Sequence, residues 1–277
     1  MFLGNAALAP KIMRSFMHIA NRGFDLKESP KLAGNEVHLW RVNLEAVAGE
    51  GAAQEPSHEQ WSGLLSEDEQ ARAARFHFAR HRQYFTATRA ILRRILAAYL
   101  DTDPKDLSFA YGAKNKPALS AEHADSALAF NVSHSGDMAL FAFTRSRQVG
   151  VDVELIRCDF DTSAIARRFF SAAEQSQLAA LDPEQRHEAF FRCWTRKEAY
   201  IKAIGEGLSL PLDQFDVSLK PNDHDALLAT RPNEPEAKRW SLRDVAARPG
   251  YCAALCVSGT DWKLIDWNTD ADGSPNG

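Results

Sequence analysis

The chain has 277 residues, of which 45% are hydrophobic and 25% are charged, and this composition is ordinary for a soluble globular protein. The formal net charge of −4 gives no overall electrostatic attraction to nucleic acid or to a membrane surface, so we expect neither as a partner. The cysteines form no CxxC pair and no cluster with zinc spacing, so we interpret them as reduced thiols of a cytoplasmic protein.

The first predicted elements are a leader, a strand and a capped helix. Residues 1–35 lack the charged-then-apolar order of a secretory signal, and we interpret them as a leader that is either poorly ordered or an amphipathic partner helix. Alternation of apolar and polar residues predicts a strand from Glu36 to Leu44. The residues from Ser66 to Glu69 have the pattern of a capping box, which predicts the start of a helix.

The next helix is unusual because it carries many basic residues and no acid. From residue 71 to residue 100 the sequence contains seven arginines and two histidines but neither aspartate nor glutamate. Arg82, Arg89 and Arg93 share one helical face, and apolar residues occupy another. Because unneutralised arginines repel one another, the pattern predicts either a phosphate ligand, which suits the guanidinium fork, or a solvated basic face.

Two short polar motifs follow near the middle of the chain. Residues 111–119 are typical of a turn followed by an extended segment, and they carry Lys114 and Lys116. Ser133 and His134 are adjacent in a predicted strand, but neighbouring strand residues point to opposite faces, so a Ser–His catalytic relay between them is implausible. We interpret Ser133, His134 and Gly136 as either structural or anion-binding.

Three acidic residues distinguish the second half of the chain. Asp152 and Glu154 are two residues apart in an apolar strand, so both carboxylates project from one face. Glu198 lies in a predicted helix, one turn from both Trp194 and Lys202. Taken alone, that helix fits a surface Glu–Lys pair beside a core tryptophan. Three carboxylates without cysteine or histidine partners instead indicate a hard cation such as Mg²⁺, completed by water and phosphate oxygens.

The second half of the sequence also repeats the pattern of the first. A second capping box at Ser171–Glu174 corresponds to the one at Ser66–Glu69, and other paired features recur at a steady offset of roughly 105–115 residues. We therefore predict an α+β fold in which two similar halves form a pseudo-dimer within a monomer, with the active site in the cleft between them. The predicted division is a leader at 1–35, an N-terminal half at 36–147, a C-terminal half at 148–266 and a flexible tail at 267–277.

Three motifs together resemble the signatures of the Sfp-type 4′-phosphopantetheinyl transferases. They are Asn131-Val-Ser-His-Ser135, Gly150-Val-Asp-Val-Glu154 and Trp194-Thr-Arg-Lys-Glu-Ala-Tyr-Ile-Lys202, and they occur in the family's order and near its spacing. The resemblance extends from about residue 36 to residue 258. It implies an enzyme that moves phosphopantetheine from coenzyme A to a serine of an apo acyl or peptidyl carrier protein, with Mg²⁺ or Mn²⁺ bound, and that releases adenosine 3′,5′-bisphosphate.

The resemblance also implies roles for individual residues. Asp152, Glu154 and Glu198 would be the metal ligands, and Glu198 would in addition accept or position the serine proton. His134 and Lys202 would act on the pyrophosphate, and Arg93 would hold the ribose 3′-phosphate. The implied coenzyme A contacts are Arg80, with Arg82 as its alternative, Arg93, Lys114, Lys116, Ser133, His134, Lys197 and Lys202.

Two other classes of function stay open at this point. One is a different Mg²⁺-dependent phosphotransferase or hydrolase, which would release phosphate from a nucleotide without a protein acceptor. The other is a non-catalytic module that binds carrier proteins or nucleotides, in which a broken acid set would be expected. The sequence names no carrier, since fatty-acid, polyketide and nonribosomal-peptide synthases all present such serines, and it assigns no role to 1–35 or 221–237.

Overall fold

The computed structural model describes residues 30–48, 58–112, 116–159, 161–205, 210–268 and 275–276. Most of the predicted leader, as well as Lys114, therefore lies outside the described residues. Within those ranges no helix is both long and apolar enough to cross a membrane.

The N-terminal half is an antiparallel sheet covered by one long helix. The helix has 22 residues and ends at Asp101, whose positive φ of 53° closes the last turn in the left-handed conformation. Its apolar face packs on aromatic side chains of the sheet, including Phe141 and Phe143. In chain order the elements are β1 (Glu36–Asn43), α1 (Leu44–Ala48), α2 (His58–Ser62), α3 (Glu67–Ala74), α4 (Ala79–Leu100), β2 (Phe109–Tyr111), β3 (Pro117–Leu119), β4 (Leu128–Ser135) and β5 (Met138–Arg145).

The C-terminal half has the same composition of a small sheet and one long helix. This helix also has 22 residues, carries Pro183 in its first turn and ends at Gly205, which has a φ of 79°. In chain order the elements are β6 (Val149–Leu155), α5 (Thr162–Phe169), α6 (Ala172–Ala180), α7 (Pro183–Ile204), β7 (Phe215–Val217), β8 (Leu227–Thr230), β9 (Trp240–Asp244), β10 (Tyr251–Ser258), β11 (Lys263–Asn268) and β12 (Pro275–Asn276).

The two halves share one strand order, as the internal repeat predicts. Strand β5 lies between β1 and β4, strand β10 lies between β6 and β9, and all these neighbours are antiparallel. Because side chains alternate along each strand, one face of each sheet packs on its long helix and the other face contributes to a core between the sheets, which includes Leu39, Leu140, Val151 and Leu255. The predicted α+β fold with two similar halves is confirmed.

The predicted boundary at residue 266 needs correction, while residues 269–274 and 277 of the predicted tail lie outside the described residues. Strand β11 crosses from the C-terminal half and pairs in parallel with β1 of the other sheet. The ring of Trp267 stacks on that of Trp40 with their centroids 4.5 Å apart, and β12 then pairs with β11. Strands β11 and β12 therefore extend the sheet of the N-terminal half.

The two sheets meet along β4 and β6. Here the backbone N–H groups of β6 donate hydrogen bonds to side-chain oxygens of β4, and not to backbone carbonyl oxygens as in a regular pair of strands. Three alternate residues of β4 each accept a hydrogen bond from the backbone N–H of the β6 residue that lies twenty positions later. We call this junction the β4–β6 seam. Its bonds run from Val151 N to Asn131 Oδ1 (2.8 Å), from Val153 N to Ser133 Oγ (3.4 Å) and from Leu155 N to Ser135 Oγ (3.1 Å).

Gly150 allows α7 to lie very close to β6. A Cβ at this position would lie well under 3.0 Å from Ala199 O and Ala203 N, which are backbone atoms of α7 and cannot rotate aside. We expect Gly150→Ala to lower the free energy of unfolding by roughly 3 kcal/mol, measured by urea denaturation, because the helix must shift. Gly34→Ala is the matched control, since nothing lies within 4 Å of the added methyl. Equal stability of the two variants would contradict this close approach.

Candidate active site

The predicted acids meet a lysine where β6 packs on α7. Asp152 is 2% exposed, and its Oδ1 accepts hydrogen bonds from Lys202 Nζ at 2.6 Å and from Ser133 Oγ at 2.8 Å. Lys202 Nζ also donates to Ser133 Oγ at 3.1 Å. The three side chains therefore form one hydrogen-bonded cluster on the β4–β6 seam.

Glu154 lies on the same face of β6, two residues beyond Asp152. Its Oε2 accepts a hydrogen bond from Ser135 Oγ at 2.7 Å. Burial, and next the negative charge of Asp152, raise the pKa of Glu154 above its ordinary value. Each acid of β6 is thus held by one hydroxyl group that crosses the seam from β4.

Glu198 brings a third carboxylate to this cluster from α7. Burial, and next the negative charge of Asp152, raise its pKa to about 7, while the charge of Lys202 acts in the opposite direction. A carboxyl group whose pKa lies near neutral pH is suited to accept a proton.

The donor set fits a hard divalent cation. Among the described residues, no three His, Cys, Asp or Glu side chains are grouped closely enough to hold a metal ion as they stand. However, Asp152 Oδ2 is buried and has no hydrogen-bond partner in the described part of the chain. Buried polar atoms are nearly always paired, so this oxygen is available to bind a ligand. Carboxylate oxygens are the donors that Mg²⁺ prefers.

His134 lies on the opposite side of β4 from Ser133 and Ser135 and is exposed. Although its ring contacts solvent, the surrounding protein lowers its pKa by desolvation, and the positive charges of Lys202, His81 and Arg72 lower it further. The charges of His81 and Arg72, both from the N-terminal half, therefore act on His134. Both residues belong to the acid-free basic stretch of the sequence, and neither is among the predicted contacts with coenzyme A.

Arg93 does not face this cluster, and its predicted role at the ribose 3′-phosphate needs correction. Its side chain is 1% exposed, and its Nε donates to Glu69 Oε2 at 2.7 Å. Its Nη1 donates to the carbonyl oxygens of Pro104 and Leu107, both at 2.9 Å. Arg89 Nε also donates to Glu69, at 2.7 Å. The anion that neutralises Arg89 and Arg93 is thus Glu69, a buried glutamate of the preceding helix.

Arg93→Ala should therefore change stability and leave nucleotide recognition unchanged. Loss of the guanidinium leaves a buried carboxylate and two carbonyls short of a donor, at a cost of roughly 3 kcal/mol in the free energy of unfolding. Titration calorimetry of the folded protein should show equal small effects on coenzyme A and on 3′-dephospho-coenzyme A. The control is Arg167→Ala, which removes an exposed side chain of α5 that is outside every predicted contact with coenzyme A. If Arg93→Ala kept its stability but lost affinity for coenzyme A and not for 3′-dephospho-coenzyme A, Arg93 would bind the 3′-phosphate as the sequence predicts.

Lys197 also points away from the acids, although it precedes Glu198 in the sequence. Its Nζ forms a fully buried ion pair with Glu174 Oε1 at 2.8 Å and donates to the carbonyl oxygens of Leu212 and Phe215. Consecutive residues of a helix do not share a face, so only one of the pair can line the site. The predicted contact of Lys197 with coenzyme A needs correction for this reason.

Both halves use the same device to fix their long helix. In each half a capping-box glutamate at the start of a short helix is buried and binds a cation of the long helix that follows. The pairs are Glu69 with Arg93 and Glu174 with Lys197, at 2.7 and 2.8 Å. The correspondence explains why both cations are structural.

The remaining basic residues are divided between protein contacts and solvent. Arg80 donates to Tyr84 OH at 3.0 Å and to Glu45 Oε2 at 3.1 Å, so its guanidinium is engaged within the N-terminal half. Arg82 is exposed. The predicted contacts of Arg80, Arg82 and Lys114 with coenzyme A stay predictions.

Lys116 donates hydrogen bonds to backbone carbonyl oxygens of β6 and α7. Its Nζ donates to Lys202 O at 2.5 Å and to Val149 O at 3.3 Å, which ties the end of α7 to the start of β6. Burial, and next the charge of Lys202, lower the pKa of Lys116 to about 8. Its predicted contact with the nucleotide stays a prediction.

Comparison with known proteins gives consistent matches along most of the chain. The family model described as "4'-phosphopantetheinyl transferase, N-terminal" matches residues 52–146, and the model of the 4'-phosphopantetheinyl transferase superfamily matches residues 148–256. The 4'-phosphopantetheinyl transferase HetI of Nostoc sp. is 40% identical over 237 residues, which are 86% of this chain and 94% of that protein. A putative 4'-phosphopantetheinyl transferase of Synechocystis sp., slr0495, is 35% identical over 76% of this chain and 82% of that protein. The 4'-phosphopantetheinyl transferase Sfp of Bacillus subtilis is 29% identical over 74% of this chain and 87% of that protein.

Proposed function

Because this chain belongs to the 4′-phosphopantetheinyl transferase superfamily, we propose that it transfers the 4′-phosphopantetheine group of coenzyme A to a serine of an apo carrier protein. The observation that carries the proposal is the cluster of Asp152, Glu154, Glu198 and Lys202 at the β4–β6 seam. In the reaction the serine oxygen forms a bond to the β-phosphorus of coenzyme A. The pyrophosphate bond breaks, and adenosine 3′,5′-bisphosphate leaves with the electron pair.

Asp152, Glu154 and Glu198 are the residues that would hold the divalent cation, which we propose is Mg²⁺, with Mn²⁺ as a substitute. When bound, the cation supplies Lewis-acid neutralisation of the charge on the pyrophosphate. The free Oδ2 of Asp152 supports this assignment, since its Oδ1 is already bound by Lys202 and Ser133. Lys202 lies beside the acids and is proposed to stabilise the negative charge that develops on the leaving phosphate.

Glu198 is the group proposed to accept the serine proton, directly or through a water molecule. Its pKa of about 7 makes it a better base near neutral pH than an ordinary glutamate. His134, Arg72 and His81 are proposed to bind phosphate oxygens of coenzyme A from the exposed side of β4. Phosphoryl transfer depends mainly on positioning and charge neutralisation, which this division of roles provides.

We propose acyl and peptidyl carrier proteins as acceptors and a monomeric enzyme as the active species. The support for a monomer is that one chain already supplies two similar halves with the acids at their junction. The four cysteines are all unpaired, which supports function in a reducing compartment such as the cytoplasm.

Release of adenosine 3′,5′-bisphosphate with and without an apo carrier tests the proposal against a hydrolase. We expect release from coenzyme A and Mg²⁺ only when the carrier with its serine is present. Release at the same rate without an acceptor would instead indicate hydrolysis of the pyrophosphate and would contradict group transfer.

A further inference from the structure

We infer that Ser135 is a positioning residue that orients Glu154 for the divalent cation, an inference that rests on the proposed function. Ser135 is the last residue of β4, and neither a catalytic role nor a contact with coenzyme A is assigned to it above. Its hydroxyl makes two contacts with β6 at once. Leu155 N donates to Ser135 Oγ at 3.1 Å, and Ser135 Oγ donates to Glu154 Oε2 at 2.7 Å.

These two contacts fix the direction of the hydroxyl hydrogen. A backbone N–H can only donate, so it must use a lone pair of the serine oxygen. The single hydrogen of the hydroxyl is then free for the carboxylate. Glu154 Oε2 is therefore held against β4, and its second carboxylate oxygen remains for another partner.

Ser133 shows that the arrangement is repeated at the other acid of β6. Its Oγ accepts from Val153 N at 3.4 Å and from Lys202 Nζ at 3.1 Å, and both of these groups can only donate. Its hydrogen is directed to Asp152 Oδ1 at 2.8 Å, while Asp152 Oδ2 stays without a partner among the described residues. In both pairs a seam serine binds one carboxylate oxygen and leaves the other available.

The position of Ser135 is fixed by the turn that follows it. Tyr251 OH, from β10 of the other half, accepts from Asp137 N at 3.1 Å and donates to Asp137 Oδ1. Arg248 Nη1 lies 3.2 Å from Asp137 Oδ2. A Cβ on Gly136 would collide with the same tyrosine oxygen, so the turn has little room to move. Elements of both halves thus hold the hydroxyl that holds Glu154.

The test compares Mn²⁺ affinity in the full chain carrying Ser135→Ala, Ser135→Thr or Ser258→Ala. Free Mn²⁺ is measured by electron paramagnetic resonance, and transfer to an apo carrier is measured in parallel. Ser258 is the matched control because its Oγ accepts from Gln148 N at 3.0 Å, just before β6, so its loss removes the same kind of backbone contact. Thermal unfolding of each variant reports any general loss of structure.

We expect Ser135→Ala to weaken Mn²⁺ binding by about 10- to 100-fold, the usual effect of removing a partner of a metal ligand. Its transfer rate should recover at saturating Mn²⁺, because the serine touches no reacting atom. Ser135→Thr keeps the hydroxyl and should bind Mn²⁺ nearly as the unmodified chain does, and Ser258→Ala should not differ from it. Unchanged Mn²⁺ affinity in Ser135→Ala, or an equal loss of Mn²⁺ affinity in Ser258→Ala, would overturn the inference.

An unmodified chain that binds Mn²⁺ but modifies no carrier would contradict the proposed function and leave the role of Ser135 intact.

Discussion

Glu198→Gln is expected to lower the rate of phosphopantetheinyl transfer by about a thousandfold while the protein still folds. Glutamine matches glutamate in size and helix propensity, so α7 and its packing should be preserved. The substitution removes a negative charge from the proposed metal site and also replaces a basic carboxylate with an amide. Single-turnover transfer to an apo carrier measures the effect, and thermal unfolding confirms that the fold is intact.

The two roles of Glu198 separate when the divalent cation is raised. If Glu198 only held metal, mass action at high Mg²⁺ would restore much of the rate. We expect the rate to stay low at saturating Mg²⁺, because an amide is not a base near neutral pH. Glu188→Gln is the control, since Glu188 is an exposed residue of the same helix that pairs with Arg192. A normal rate in Glu198→Gln would show that Glu198 neither holds the metal nor accepts the serine proton.

Asp152→Asn is expected to reduce both Mn²⁺ affinity and the transfer rate, the latter by about 10²- to 10³-fold. Asparagine has one acceptor oxygen and one donor group. In one orientation its amide N–H₂ meets Lys202 and Ser133, and in the other it occupies the position of the free Oδ2, where a cation would be repelled. Neither orientation reproduces the two carboxylate oxygens seen at this position.

The stability of Asp152→Asn distinguishes a site effect from misfolding. Loss of the charged contact with Lys202 is offset by relief of repulsion from Glu154 and Glu198, so the metal-free protein should unfold at about the same temperature. Asp216→Asn is a suitable control, because it removes a carboxylate that pairs with Arg231 in the separate β7–β8 sheet. A metal affinity and rate equal to those of the unmodified chain would show that Asp152 is not a ligand.

Local periodicity was sufficient to predict the arrangement of the acids. The spacing of two residues between Asp152 and Glu154 places both on one face of β6, where each meets a serine of β4. The spacing of four between Glu198 and Lys202 places both on one face of α7, but the contact of Lys202 with Asp152 is visible only in the structure. The internal repeat likewise predicted the common strand order. These features depend on contacts within an element or on symmetry between halves, and both are visible in the sequence.

Contacts between elements that are distant in the sequence could not be predicted from local patterns. The acid-free stretch suggested a free arginine row, but Glu69 from the preceding helix binds both Arg89 and Arg93. The capping boxes predicted helix starts correctly, yet nothing in their pattern shows that the same glutamate is buried against the next long helix. The parallel pairing of β11 with β1 joins the two ends of the described fold and has no local signal either.

The intact mass of an apo carrier protein, after incubation with this chain, coenzyme A and Mg²⁺, tests the central claim most directly. We predict that a carrier gains the mass of one phosphopantetheine group, and that the same carrier with its acceptor serine replaced by alanine gains none. The gain should be slowed strongly by Glu198→Gln and little by Glu188→Gln. The claim would be contradicted if carriers from fatty-acid, polyketide and nonribosomal-peptide synthases all kept their original mass after incubation with the folded chain, coenzyme A and Mg²⁺.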